Sequence, residues 1–397
     1  MRILLITSSY PSNAYDPRGV HIHHLAASLV ASGMVVTVLA PGADGAASRS
    51  EMDGVEVCRA RYFVEGKQKL TSGLGGILPN LESNRWLLGQ VPPLVMSMAA
   101  AARRIALRGF DLIHAHWLFP GGLVGLLARG RLGIPLLVTS HGGDLNWAKQ
   151  SNLAKRLSRS IARRADACSA VSEDLYDSFL QLGVPEDRVS LTPLGVDLAV
   201  TEDSRERDSS ILRILYVGSL IPRKNVRCLV RALVRLRNLA VPFRATFVGD
   251  GPERAGLEAF AKRELLNAHF IGSLPHKGVR SQLLETDVLV LPSISEGRPV
   301  VLLEAMASSK PVVATDIPGN RELVDDGQTG FLFRSDDDAQ LAAKLFVLWD
   351  NPNDTRRLGL AGRAKMLEEG LTTSQTAARF IELYRTLTIL TSGTIER

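Results

Sequence analysis

The sequence predicts an α/β protein of two doubly wound domains, each a parallel sheet covered by helices. Three observations carry that expectation. At 397 residues the chain exceeds what one core supports, and 45% hydrophobic content supplies enough apolar material for two. Short β-branched runs alternate with helical stretches, the pattern of a parallel sheet buried on both faces. The alternation is interrupted once, by the charged stretch TEDSRERDSS at 201–210, and then starts again.

Local signals place each element. The apolar run at 3–6 is strand-sized, and the helix expected at 20–31 stops at Gly33, ahead of a second strand at 35–39. Further strands are expected at 112–115, 135–139 and 189–192. A fresh strand at 214–217 opens the second round, followed by runs at 245–248, 270–271, 288–291 and 312–314, each leading into a helix. The expected division is a first domain at 1–198, a linker at 199–211, a second domain at 212–372, and a last amphipathic helix within 373–397. Residues 59–91 break the alternation and are rich in Gly, Pro and Asn. A loop so long inside a domain is commonly functional, which makes it a candidate acceptor-site element.

Composition narrows the class. No apolar run approaches the roughly 20 residues that a membrane span requires. Residues 3–6 pass at once into the polar Thr7-Ser8-Ser9, so the N-terminus reads as a strand rather than a secretory signal, and a cytoplasmic protein is expected. Cys58, Cys168 and Cys228 are far apart, which suits packing in a reducing compartment better than a metal or redox pair. A formal charge of +6 favours anionic partners. Arg103, Arg104 and Arg108 close one helix, while Lys155, Arg156, Arg159, Arg163 and Arg164 line another. Beside plain solvation of these faces, peripheral docking on an anionic membrane surface at the inner face is a second expectation. Few aromatics interleave the charges, so nucleic acid is not an expected partner. His21, His23 and His24 point to different helix faces and make no metal site.

The most informative stretch begins at 287. An apolar strand runs into the polar turn Ser293-Ile294-Ser295-Glu296-Gly297, and a helix starts near Pro299, a residue suited to the first helical position. Glu296 thus falls beyond the carboxyl end of a strand, where ligands bind in such sheets. Glu304 lies about two turns along the helix and shares a face with Val300 and Val301. His141 ends another strand, LLVTSH, ahead of the turn Gly142-Gly143-Asp144, and His114 and His116 lie in the run DLIHAHW.

Four segments follow one another between residues 270 and 333: FIGSLPHKGV, DVLVLPSISEGRPVVLLEAMA, KPVVATDIPGNRELV and DGQTGFLF. In that order they resemble glycosyltransferase family 4, the retaining, nucleotide-sugar-dependent group with the GT-B fold, and the resemblance extends over nearly the whole chain. It implies two Rossmann-like domains facing each other across a cleft, with the last helix crossing back onto the first domain. It also implies a nucleoside-diphosphate sugar donor of the UDP or GDP type.

The resemblance implies roles residue by residue. A departing diphosphate needs positive charge and backbone donors, and the segment YVGSLIPRKNV offers Gly218 after a strand, then Arg223 and Lys224 at a helix start. Family members usually carry Gly-Arg-Leu ahead of the lysine. Here Ser219 stands in the arginine's place, and Arg223 is the expected substitute. Gly19 matches a glycine of the turn whose amides approach the donor phosphates. Gly249 and Gly251 would lie beneath the nucleotide, Ile271 and Ser273 would meet the base through the main chain, and Glu304 would hold the ribose hydroxyls. Backbone amides of Arg298, Pro299, Val300 and Val301 mark the helix start that would cap the diphosphate, with Pro299 supplying no N–H of its own. Glu296 and His141 would hold the transferred sugar.

The expected activity is therefore hexose transfer with retention onto a glycan or lipid-linked acceptor, in cell-envelope or exopolysaccharide synthesis, with no cofactor and no metal. Rival expectations are a sugar-nucleotide epimerase on the same scaffold and a non-catalytic nucleotide-sugar-binding homologue. A dehydrogenase is disfavoured because Gly249-Asp250-Gly251 lacks the third glycine and the ribose-binding acid of that fingerprint.

Overall fold

The computed structural model describes the chain except residues 14, 15, 17, 74, 75, 131, 199–209 and 393–397. It divides into two units, Met1–Leu194 with Thr373–Arg397, and Gly195–Thr372. Most of the linker expected at 199–211 lies outside the described residues. Residues 195–198 fold with the second unit: Val196 bridges to Thr372, and Leu198 packs on that unit's core.

The first unit is an eight-stranded sheet. Its strands are β1 (Arg2–Ile6), β2 (Val35–Pro41), β3 (Arg49–Met52), β4 (Val55–Ala60), β5 (Leu112–His116), β6 (Leu136–Ser140), β7 (Ala167–Ala170) and β8 (Val189–Leu191), in spatial order β3-β4-β2-β1-β5-β6-β7-β8. All neighbours run parallel except β3 and β4, a hairpin closed by Asp53 and Gly54, both at positive φ. That hairpin is an addition to the expected strands, and its Asp-Gly turn is the residue pair a tight hairpin favours. The long segment at 59–91 is likewise less irregular than expected, containing a helix at Ile77–Ser83 and a 3-10 turn at Arg85–Gln90.

Chain order reverses at β1, with β2 on one side and β5 on the other, and the carboxyl ends of those two strands flank the switch point where ligands bind in such sheets. The helix Val20–Ala31 packs Ile22, Leu25 and Leu29 on this sheet. Beside them lie Ala377, Phe380, Tyr384 and Leu387 from the last helix, Thr373–Ser392, which folds back onto the first unit.

The second unit is all parallel: β9 (Leu212–Val217), β10 (Phe243–Val248), β11 (Ala268–Gly272), β12 (Val288–Leu291), β13 (Val312–Thr315) and β14 (Gly330–Phe333), in order β11-β10-β9-β12-β13-β14. β14 is a further strand beyond those expected. Alternation within each strand serves two cores: Ile214, Val288, Val290 and Val313 face one, and Leu215, Leu289, Leu291 and Val312 face the other. Strands covered on both faces read as unbroken apolar runs, which is why they were visible in the sequence. The switch point here lies between β9 and β12.

Candidate active site

Two loops leave the switch point of the second unit and are tied into one piece. The loop after β9 carries Arg223 and Lys224 in a 3-10 turn, Pro222–Lys224, ahead of the helix Val226–Asn238. The loop after β12 carries Glu296. Ile294 N–H donates to the Arg223 carbonyl at 2.9 Å, and the Arg223 guanidinium donates to the Ser295 carbonyl at 2.7 Å.

At their junction Lys224 Nζ donates to Glu296 Oε1 at 2.5 Å, with Arg223 Nη1 3.7 Å from Oε2. The Glu296 side chain is only 9% exposed. Burial alone would raise its carboxyl, but the charges of Lys224 and Arg223 outweigh burial and hold it below the usual carboxylate range. Arg223 thus reaches the same carboxylate as Lys224.

Two glycines shape these loops by letting backbones cross. A Cβ on Gly249 would lie 1.9 Å from the Gly218 carbonyl oxygen, and one on Gly251 would lie 2.4 Å from that of Leu220. Gly218 N–H in turn donates to Val248 O, and Leu220 N–H to Asp250 O, both at 2.9 Å. The close approach that Gly249 and Gly251 allow is therefore between neighbouring protein loops, whereas a Cβ on Gly218 would meet the Tyr216 hydroxyl at 2.8 Å. A third segment supports Glu296 from behind. Gly319 passes so close that a Cβ there would meet Gly297 O at 2.6 Å and Glu296 O at 2.7 Å, while Thr315 Oγ1 donates to Ser293 O at 2.5 Å and Asn320 Nδ2 donates to Thr315 O at 2.8 Å.

The helix after Glu296 runs Val300–Ala307, with Pro299 just outside it as the cap rather than at its first position. Leu302, Leu303, Ala305 and Met306 are buried, whereas Val300, Val301 and Glu304 share the half-exposed face. The Arg298 side chain is buried and pairs with Glu322 at 3.1 Å, leaving its main chain at the helix entrance. Ile271 and Ser273 are exposed at the end of β11. One residue that the sequence reading did not single out stands beside them: His276 Nε2 lies 2.9 Å from Glu304 Oε1. Its proximity was not legible because 28 residues separate the two.

In the first unit, histidines converge. His116 at the end of β5 and His141 just after β6 share a hydrogen bond, Nδ1 to Nε2 at 2.9 Å, and His21 from the first helix turn packs edge-on to His141 with ring centroids 5.0 Å apart. His114, two residues earlier on β5, is bonded to Tyr384 Oη and Thr139 Oγ1, each at 2.7 Å. Burial pushes all four imidazoles down, His21 to about 4 and His114 to about 3, so each is held neutral. Buried nitrogens of His21 (Nε2), His116 (Nε2) and His141 (Nδ1) have no hydrogen-bond partner, which leaves polar atoms available to a hydroxyl-bearing ligand.

His21 was missed as a member of this group. His23 goes elsewhere, to Tyr10 Oη and Asp53 Oδ2, each at 2.8 Å. Asp144 locks the turn after His141 by accepting from Leu118 N–H and Ser140 Oγ, both at 2.6 Å. Gly19 begins the helix Val20–Ala31 at φ 65°, and a Cβ there would lie 2.2 Å from Ser9 O, so only glycine fits.

Two doubly wound units with loops of this kind are the GT-B fold of glycosyltransferases, and solved structures share it. Sucrose-phosphate synthase from Thermosynechococcus elongatus matches with a TM-score of 0.79 at 22% identity, covering 98% of this chain and 100% of that one. Anabaena HepE in complex with UDP and glucose matches at 0.74 and 21%, with the same coverage. In sequence, residues 19–195 match the glycosyl transferase 4-like domain and residues 202–365 the glycosyl transferases group 1 domain. The chain belongs to the glycosyltransferases of family 4 type. A relative is the putative teichuronic acid biosynthesis glycosyltransferase TuaC of Bacillus subtilis, 29% identical over 336 residues, which span 80% of this chain and 82% of that one.

Proposed function

We propose that this glycosyltransferase moves a hexose-type sugar, with retention, from a UDP- or GDP-sugar to an acceptor hydroxyl, without a divalent cation. The observation that carries the reading is the buried Lys224–Glu296 pair at 2.5 Å, with Arg223 beside it, at a strand-end switch point. An ammonium has three N–H donors, so Lys224 can keep Glu296 and still present two to a phosphate. Amides at the start of Val300–Ala307 add to that cradle, and Glu304 on the half-exposed face holds the ribose. In this reading cationic side chains and helix-start amides carry the leaving-group charge.

The chemistry proposed is same-face substitution. As the glycosidic bond to the diphosphate breaks, the departing oxygen takes the acceptor's proton, and the acceptor oxygen bonds to the anomeric carbon on the face the diphosphate leaves. Lys224 stabilises the departing charge, Glu296 holds the sugar, and His141 contributes a neutral imidazole to the transferred sugar. Retention by double displacement would instead need a nucleophilic carboxylate on the opposite sugar face.

For the acceptor, a glycan or lipid-linked glycan of the cell envelope is proposed. TuaC's name points that way. So do Trp86, 91% exposed, and Met96, 71% exposed, together with the exposed basic face of the helix Asn152–Arg164, a combination suited to an anionic membrane surface. Among the described residues no helix is long and apolar enough to cross a membrane.

A thermal-shift screen in chelator against nucleoside diphosphates and their sugar conjugates tests the donor, since a ligand far above its Kd adds a few kcal/mol of stability. One conjugate should stabilise, and Glu304→Ala should weaken it. Lys224→Ala should cut turnover about a hundredfold. No response across the panel sinks the donor assignment, and a changed sugar nucleotide formed without acceptor would make the protein an epimerase.

A further inference from the structure

To accept hydrogen bonds from ribose hydroxyls, a glutamate on a helix must hold one of many side-chain orientations, and that ordering costs conformational entropy. Glu304 has a partner that restricts it. His276 opens the helix His276–Leu284 after β11, and its Nε2 is 2.9 Å from Glu304 Oε1. A carboxylate offers only acceptors, so Nε2 carries the hydrogen and donates. Titration then occurs at Nδ1. A bond to a carboxylate is charge-assisted already, and protonation at Nδ1 adds the attraction of an ion pair.

Resting on the reading of Glu304 as the ribose-binding carboxylate, we propose that His276 is a positioning residue for the donor. It fixes Glu304 through Oε1, leaves Oε2 to the ribose, and makes donor affinity fall as the imidazolium loses its proton. The surroundings support the charged form. The hydrogen bond to Glu304 raises the ring above the usual histidine range against the opposing effect of burial; Asp197, from the segment at 195–198, adds negative charge, and Arg280, one turn along the same helix, opposes it. Arg280 is itself held to that segment by donating to Leu198 O at 3.0 Å, so the groups around the ring are fixed relative to one another.

Calorimetric titration of the full chain with UDP and GDP, between pH 6.5 and 9, tests this with the tighter of the two. His276→Gln keeps a donor near Oε1 but has nothing to titrate. Its affinity should match wild type at pH 9 and fall about fivefold short at pH 6.5, where wild type alone carries the imidazolium and its ion pair. The nucleotide's own phosphate titration is common to both proteins and cancels in the ratio. His276→Ala should bind more weakly throughout, yet add nothing in a Glu304→Ala background, and should bind inorganic pyrophosphate as wild type does.

A wild-type to His276→Gln ratio that stays constant with pH, or additive losses in the double variant, overturns the proposal. If Glu304→Ala itself leaves nucleotide affinity unchanged, the ribose reading has failed and the proposal with it. Weakening by Glu304→Ala with wild-type binding by every His276 variant refutes His276 alone.

Discussion

Acid should unfold the first unit well before its carboxylates matter. His21, His114, His116 and His141 are neutral when folded, with His21 held near 4 and His114 near 3, whereas an unfolded histidine titrates near 6.5. The unfolded state therefore binds more protons, so stability is present above pH 6.5 and lost as pH falls. One unit below 6.5, each such ring forfeits about 1.4 kcal/mol, and four forfeit about 5 kcal/mol between pH 7.5 and 5.5. That rivals the whole stability of an average domain, about 5–15 kcal/mol.

Carboxylates such as Asp16, held near 2, and Glu296 act only as pH falls through the ordinary carboxylate range. His276 has the opposite sign, because its raised value stabilises at low pH and is lost as pH rises, and it belongs to the second unit. Hydrogen exchange read on peptides from β5 and β6 should show protection falling from pH 7.5 to 5.5, with peptides from β9 and β12 changing much less. Should the four rings instead titrate near 6.5 by NMR while protection persists, the burial argument is wrong.

Removing Lys224 leaves Glu296 with Arg223, 3.7 Å away, as its remaining paired cation. Lys224→Met should destabilise the second unit by about 3 kcal/mol, and adding Glu296→Leu should recover most of that without restoring turnover. Additive losses in denaturant titration would show that the two are not coupled. Gly319→Ala should cost about 1–3 kcal/mol by overpacking and lower kcat by more than its stability loss explains, because the new methyl pushes on the Glu296 main chain. An unchanged kcat would mean that this close approach does not set the position of Glu296.

The parallel strands were legible because burial on both faces writes them as apolar runs, as in β12 and β13. The helix carrying Glu304 was legible from its turn and its proline, and the half-exposed face of Val300, Val301 and Glu304 followed from helical spacing. The β3–β4 hairpin carried its signal in Asp53-Gly54, but β3 is polar and mostly exposed, so no hydrophobic period announced it. What no local pattern encodes is convergence. His21, His116 and His141 are separated by 95 and 25 positions and meet only because β1, β5 and β6 are adjacent in the sheet. His276 follows β11 and Glu304 follows β12, strands that β10 and β9 separate in the sheet, so their meeting is no more local in the sequence.

The last helix changes the order in which this polypeptide can fold during synthesis. Gly195–Thr372 is contiguous and can close its core as soon as it leaves the ribosome, whereas the unit begun earlier lacks Phe380, Tyr384 and the hydroxyl that binds His114 until some 180 more residues have been translated. Domains usually mature in the order they are made. Here the later-made unit finishes first, and the nascent N-terminal sheet waits with an apolar face uncovered, the interval in which a chaperone has most to bind.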